Sequence, residues 1–348
     1  MLHSSGAAVI SKARAMYGKR LSPSDWENLL TCSTLKETAA YLKNHTAYQD
    51  VLNKVTSETV HRHTLERLLQ ERLVQESFKL SHYDISSSWN ASHFILALLE
   101  IDQLLSAVMR VLSKEDVHVF HEPNRYLDAI SRLDQRSLDK ADTFAELIEA
   151  IEDTPYYDIL TPYSFAEQEH DYYTRIEHDL QVYAYRYMYD YIARYASKEA
   201  QKPLRQLFDE MIDLMNYSRI LRMKKYFNLS SAEMYQRLFP FGMIKKEHLQ
   251  EMVRAQTEAQ VTELMKQTRT GKRTLKIEHQ SIDELVLMVR HRLCRRNILY
   301  SEESSVVMLS YIFLLQIELT GLIHVIEGVR YGVPKAELRR LLELYDFV

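Results

Sequence analysis

Apolar residues recur along this chain at intervals of three and four. Leu65, Leu68, Leu69, Leu73 and Phe78 mark one stripe, and Phe94, Leu98, Ile101, Leu105, Val108 and Leu112 mark another. Residues at that spacing share one face of a helix. The pattern predicts long amphipathic helices near 56–82, 94–112, 167–196, 203–226, 281–299 and 305–331. Short helices fill the intervals. Each is announced by a capping residue or a turn: Ser22-Pro23-Ser24-Asp25, Thr34, Asp142-Thr143 and Ser230-Ser231. The stretch "YAYRYMYDYIARY" (183–195) alternates tyrosines as a strand would. Its ladder Tyr183, Tyr187, Tyr191, Tyr195 steps by four instead, which predicts a helical packing seam with hydroxyls reaching water. Two apolar runs, Phe94–Leu112 and Val306–Ile317, raise the question of a membrane span. The first carries Glu100, Asp102 and Arg110, and the second is twelve residues long before Glu318. A span takes about 20 mostly uncharged residues, so both are expected to be buried inside protein.

The pattern also repeats. "TLKETAAYLKNHTAYQDVL" (34–52) aligns with "TFAELIEAIEDTPYYDIL" (143–160) through one gap at His45. Thr34 falls on Thr143, Glu37 on Glu146, Thr46 on Thr154, Tyr48 on Tyr156 and Asp50 on Asp158. A third copy, "TEAQVTELMKQTRT" (257–270), aligns with 143–156 without gaps, placing Thr257 on Thr143, Met265 on Ile151 and Thr268 on Thr154. The segment ahead of it repeats too: Trp26 matches Leu249 and Leu29 matches Met252. The third copy has Thr270 and Gly271 where the others carry tyrosine. Each copy reads as short helix, turn, short helix, then a Thr-x-Tyr whose threonine accepts from an orphan amide, with Pro155 suited to a first helical position. One such unit buries little alone, so long helices must supply the other wall of each core. The expectation is an all-α protein of three pseudo-repeated helical lobes, cut near 1–110, 111–218 and 219–348.

Composition agrees with helices. Glycine and proline number seven each in 348 residues, too few for the turns of an all-β chain of this length. Cys32 and Cys294 form neither a CxxC pair nor a zinc spacing, which excludes a disulfide scaffold and predicts a reducing compartment. The opening "MLHSSGAAVISKARAMYG" lacks the apolar core of a signal segment, so the protein is expected to stay in the cytoplasm.

The net charge of −4 conceals an asymmetry. Residues 100–200 carry a net −11 and residues 219–300 a net +9. The split reads either as solvated helix faces that differ or as two sides aimed at different partners. The basic side gathers Arg219, Arg222, Lys224, Lys225, then Arg269, Lys272, Arg273, Lys276, then Arg290, Arg292, Arg295 and Arg296.

Catalytic signatures are missing: no GxxxxGK[ST], GxGxxG or GxSxG occurs. Glu-x-x-His occurs at Glu58/His61, Glu115/His118 and Glu167/His170, the spacing used by di-iron carboxylate bundles. These pairs sit on polar stretches, whereas buried ligands interrupt an apolar face. A nucleic-acid adaptor is the other alternative, since phosphates seek basic clusters. No recognition-helix or aromatic-strand pattern accompanies this one.

Three stretches resemble a known family. "ARAMYGKRLSPSDWENLLTCSTLKETAAYLKNHTAYQDVL" is similar to the opening of the C-type stalk protein of bacterial and archaeal V/A-type ATPases (ATP synthases), whose eukaryotic relative is the d-type protein of the V-ATPase. "LFDEMIDLMNYSRILRMKKYFNLSSAEMYQRLFPFGMI" resembles the family's central helix and following turn, through Ile212-Asp213-Leu214-x-Asn216 and Leu221-Arg222. "YIFLLQIELTGLIHVIEGVRYGVPKAELRRLL" resembles its last helices. Glu318 is present there, but the family's following Asn-Leu-Arg is replaced by the neighbourhood of Gly321-Leu322 and His324.

The resemblance implies a funnel of three helical lobes between the central shaft and the membrane rotor ring of a rotary ATPase, on the membrane's cytoplasmic face. It implies a mechanical part that transmits torque for ion transport. No catalytic residue, cofactor, metal, nucleic acid or small-molecule substrate is expected. The shaft or ring contacts are placed on Arg219, Arg222, Lys224 and Lys225, then on Arg292, Arg295 and Arg296. A competing reading pairs Arg222 with Asp213 inside a lobe.

Overall fold

The computed structural model describes residues 2–53, 55, 61–83, 91–113, 131–165, 172–227 and 229–343. Among them are eighteen α-helices, one 3-10 helix and no strand. Seven helices are long: α1 (Leu2–Tyr17), α5 (Arg62–Ser81), α6 (Ala91–Ser113), α10 (Tyr172–Arg194), α11 (Lys198–Tyr226), α16 (Ile282–Tyr300) and α17 (Ser304–Tyr331). The periodicity of three and four located six of these. It placed the start of α11 at Pro203, five residues late. Ser197 explains the difference: its hydroxyl accepts from the Ala200 amide at 3.1 Å, so the helix nucleates ahead of the proline. Residues 56–60 and 167–171, predicted as the starts of two helices, lie outside the described residues.

The short helices come in three groups. The first is α2 (Pro23–Thr31), α3 (Leu35–His45) and α4 (Gln49–Leu52). The second is α7 (Gln135–Lys140), α8 (Phe144–Ala150) and α9 (Tyr157–Leu160), continued by the 3-10 helix Thr161–Phe165. Four more, α12 (Ser231–Gln236), α13 (Lys246–Arg254), α14 (Glu258–Gln267) and α15 (Arg269–Thr274), form the third, and α18 (Lys335–Glu343) ends the described chain. The repeat found in the sequence is a repeat of hydrogen bonds. Thr34, Thr143 and Thr257 cap α3, α8 and α14, each accepting at 3.2 Å from the amide three residues on. Thr46, Thr154 and Thr268 each donate to a carbonyl in or capping the preceding helix, Leu42, Ile151 and Met265, at 2.6, 2.7 and 2.7 Å. The same hydroxyls accept from the Tyr48, Tyr156 and Gly271 amides. Pro155 lies in the turn, and α9 begins two residues later with Tyr156 as its cap.

Each group leans on a different long helix: α3 on α17, α8 on α6, α14 and α15 on α11. The chain's last long helix thus walls the first group. α17 is apolar around most of its circumference and buries most of its residues between Ser305 and Gly328. It reaches a mean hydropathy of 2.0 over 18 residues, long and apolar enough to cross a membrane, yet 83% of that window is buried against α1, α3, α5, α6, α11, α16 and α18. α6, α11 and α17 meet through one phenylalanine each. Phe94 and Phe208 are edge to face at 5.3 Å, Phe208 and Phe313 at 6.0 Å, and Phe94 and Phe313 at 6.4 Å.

Candidate contact surface and the latches behind it

Five or six residues after its phenylalanine, each of the three helices carries a buried acid: Glu100 on α6, Asp213 on α11, Glu318 on α17. A carboxylate taken from water needs donors, and the short helices supply them. Glu318 accepts the Tyr48 hydroxyl at 2.7 Å and the Leu21 amide at 3.0 Å. Glu100 accepts the Tyr156 hydroxyl at 2.6 Å, with the Arg132 amide, the Arg132 guanidinium and the Ser131 hydroxyl. Asp213 accepts the Thr270 hydroxyl and the Met243 and Ile244 amides. Leu21 and Ile244 are aligned positions of the repeat, as are Tyr48 and Tyr156. Where the third copy lacks the tyrosine, the threonine hydroxyl stands in because the backbone comes closer. A Cβ on Gly271 would lie 1.9 Å from the Met265 carbonyl oxygen.

A second set of bonds ties each group from the other side. The carbonyls that end α2, α7 and α13 accept from Lys335, Arg110 and Lys224 respectively. The motif Ile212-Asp213-Leu214-x-Asn216 is part of the third latch. Asn216, one turn beyond Asp213, donates to the Phe239 carbonyl at 3.0 Å and accepts the Phe239 amide at 2.8 Å, which fixes the turn into Gly242.

This frame decides what the basic residues have to offer. Arg219 faces inward: it reaches His178 Nδ1 at 2.7 Å, the Arg237 carbonyl at 3.0 Å and Gln181 at 3.1 Å, above the Phe239 ring. Burial pushes its pKa down, and its charge helps to hold His178 down at about 4. Lys224 spends its ammonium on the Val253 and Ala255 carbonyls at 2.8 and 2.6 Å. Arg222 pairs with Asp283 and not with Asp213, whose oxygens the latch occupies. That pair is more than half exposed, so it contributes little to stability and is open to exchange. Lys225 is exposed beside Tyr226 and Phe227. Arg292, Arg295 and Arg296 are exposed on one face of α16, in line with the exposed Leu299 and Tyr300. Arg222 meets Asp283 at one end of α16, and Arg296 meets Gln206 at 3.0 Å near the other. The basic groups therefore lie at opposite ends of an antiparallel helix pair, roughly 20 Å apart at a helical rise of about 1.5 Å per residue. The acidic counterpart is the outer face of the second group, where Asp142, Glu146, Glu149, Glu152, Asp153 and Asp158 are exposed.

The sequence model of the ATP synthase (C/AC39) subunit family matches residues 9–341, nearly the whole chain. The chain belongs to that family. As a C/AC39 protein it is part of a V/A-type ATPase and works with other subunits of that complex. The match takes in all three short-helix groups, all three latches and the basic faces of α11 and α16. A search of curated proteins found no match. Among the described residues of this C/AC39 protein, no three His, Cys, Asp or Glu side chains gather as metal ligands. Glu58, Glu115, His118, Glu167 and His170 lie outside the described residues. Sequence reasoning missed Glu100 and Glu318 as members of one set. The signal was an acid five or six places after a phenylalanine in three apolar helices.

Proposed function

We propose that this chain is the non-catalytic coupling piece of the central stalk, seated between the shaft and the membrane rotor ring on the cytoplasmic side and passing torque between them. The supporting observation is the threefold set of buried latches, Tyr48–Glu318, Tyr156–Glu100 and Thr270–Asp213. A part that transmits torque has to resist shear. Closely packed helices have low compressibility, and buried, satisfied polar bonds fix their register. The proposal takes the three groups as three lobes of a funnel, cut near 1–110, 111–218 and 219–348, with residues 304–343 returning to the first.

Separate basic faces suit two partners. In this reading Arg222 and Lys225 meet acidic side chains of one, and Arg292, Arg295 and Arg296 those of the other. Arg219 and Lys224 hold the face in place from within. Capture of the full chain's partners from native membranes, identified by mass spectrometry, tests the proposal. A coiled-coil shaft protein and a ring protein are expected together, and recovery of neither would refute it. Arg222→Glu with Lys225→Glu is expected to weaken one partner in a salt-dependent way, and Arg292→Glu with Arg296→Glu the other. Loss of both partners with either pair would show a single contact surface.

A further inference from the structure

A cavity of about 130 Å³ opens between α1, the turn into α2, α5, α16 and α17, behind the first latch. Its wall holds Tyr17, Arg20, Arg72, His291, Arg295 and Glu318. Arg20 and Arg72 alone outnumber the one carboxylate in the lining, so positive charge is in excess whether Glu318 is ionised or not, and Arg295, which also bonds elsewhere, adds a third guanidinium to the wall. Glu318 does not use up that excess by direct pairing in the latch, where its oxygens accept from Tyr48 and from the Leu21 amide. Arg72 is the deepest of the three cations, only 7% exposed. One terminal nitrogen donates to the Ala47 carbonyl, and its plane lies 4.1 Å over the Tyr48 ring. Its Nε–H is buried without an acceptor. A buried guanidinium donor is normally satisfied, and an oxygen in the cavity would satisfy this one. Arg20 stands at the mouth, exposed, 4.2 Å over the Tyr17 ring and donating to the Tyr17 carbonyl at 3.2 Å. Arg295, also exposed, lines the cavity from α16.

Space selects the ligand further. A cavity of about 150 Å³ holds a benzene molecule, so this one has room for a tetrahedral oxyanion. Guanidinium forks match the oxygens of such an anion better than they match a spherical halide. We propose that this cavity binds a tetrahedral oxyanion of phosphate size. The anion is supplied either as free inorganic phosphate or as the terminal phosphate of a nucleotide whose remainder stays outside. Because the site lies against the Tyr48–Glu318 latch, an occupant would brace the first short-helix group against α17. The anion site does not depend on the coupling role, since it belongs to the isolated chain and a small anion.

Thermal unfolding and titration calorimetry of the full chain in phosphate-free buffer, at constant ionic strength, test it. Sodium phosphate is expected to give saturable heat and a saturable rise in Tm in the millimolar range or below, and sodium chloride neither. Arg20→Gln and Arg295→Gln are expected to weaken the anion by about tenfold each, with Arg20→Gln, at an exposed position, leaving the anion-free Tm near that of the parent chain. Arg72→Lys keeps a buried cation but loses the fork, and is expected to weaken binding at least as much. ADP in place of phosphate identifies the source: saturation by ADP alone, with the same dependence on Arg20 and Arg295, assigns the anion to a nucleotide. Saturation by neither, or binding indifferent to Arg20 and Arg295, would overturn the site.

Discussion

The Tyr48 hydroxyl and the Glu318 carboxylate stand 270 positions apart in the chain and 2.7 Å apart in the fold. The bond joins the first short-helix group to the last long helix, and Glu318 has few other donors. Without the phenol oxygen the carboxylate keeps the Leu21 amide and the more distant charges of Arg72 and Arg20. Glu100 is better supplied, since Ser131 and two groups of Arg132 remain when the Tyr156 hydroxyl is removed. Tyr48→Phe is therefore expected to lower the unfolding free energy by about 2–3 kcal/mol and Tyr156→Phe by about 1 kcal/mol. Urea unfolding of the two variants checks the order. Equal losses would mean that the spare donors around Glu100 contribute nothing.

Two buried groups oppose each other between pH 4 and 6.5. Burial raises the Asp213 carboxyl to about 6, against its hydrogen bonds from Thr270 and the Ile244 and Met243 amides. Burial, with the Arg219 charge second, lowers His178 to about 4. For Asp213 the folded state holds the proton more tightly, so its contribution is full below the ordinary pKa of 3.8 and is lost as pH rises toward 6. For His178 the folded state resists the proton, so its contribution is present above 6.5 and is lost as pH falls toward 4. The two contributions run in opposite directions, and Asp102, raised to about 6 by burial, adds to the first, so each variant is read against the parent chain. Asp213→Asn removes the first, and stability relative to the parent is then expected to fall on acidification from pH 6.5 to 4.5. His178→Gln removes the second, and stability relative to the parent is expected to rise over the same interval. Chemical denaturation at several pH values reads both, and two variants with the same slope would contradict the assignment.

Helix type was legible wherever packing imposes a period, because α5, α6, α10, α11, α16 and α17 each bury a face or more. The repeat was legible in the short helices because every copy needs the same cap at Thr34, Thr143 and Thr257, and a cap is a local demand. The long-range half of each unit was harder to see. Glu318 serves a group 270 residues earlier in the chain, and nothing local marks that pairing. The charges of the basic cluster could be counted, but not their directions. Arg219 and Arg222 sit three residues apart on α11, and only the fold turns the first toward Phe239 and the second toward Asp283.

The cations behind the short helices differ in what they hold. Lys224 is half-buried and donates to two carbonyls at the end of α13, at 2.8 and 2.6 Å. Lys335 is exposed and reaches the Thr31 carbonyl at 3.4 Å. A charged donor on helix-end carbonyls is worth about 1–2 kcal/mol when sheltered, and a fraction of that in water. Lys224→Met is expected to destabilise by about that amount, and Lys335→Met by less than about 0.5 kcal/mol. Thermal unfolding of both would expose an error, because equal Tm losses would place the cost in the lysine stems and not in the bonds.

Gly271 offers the sharpest test of how the third group replaces its missing tyrosine. The threonine latch works only if α15 starts hard against the end of α14. A methyl group at Gly271 would meet the Met265 carbonyl oxygen at 1.9 Å and its carbon at 2.6 Å, both backbone atoms that cannot turn aside. Gly332, by contrast, caps α17 with φ +65° and has nothing within 4 Å of an added Cβ, so alanine there meets only the backbone penalty. Gly332→Ala is expected to cost about 1 kcal/mol. Gly271→Ala must push α15 away from α14 and so draw the Thr270 hydroxyl off Asp213, leaving a buried carboxylate short of a donor. The loss is expected to exceed about 3 kcal/mol. A double-mutant cycle with Thr270→Val separates the two parts of that loss. If the glycine acts through the latch, the combined variant falls well short of the sum of the single losses. Full additivity would show that the close approach and the Thr270–Asp213 bond are independent features of the third group.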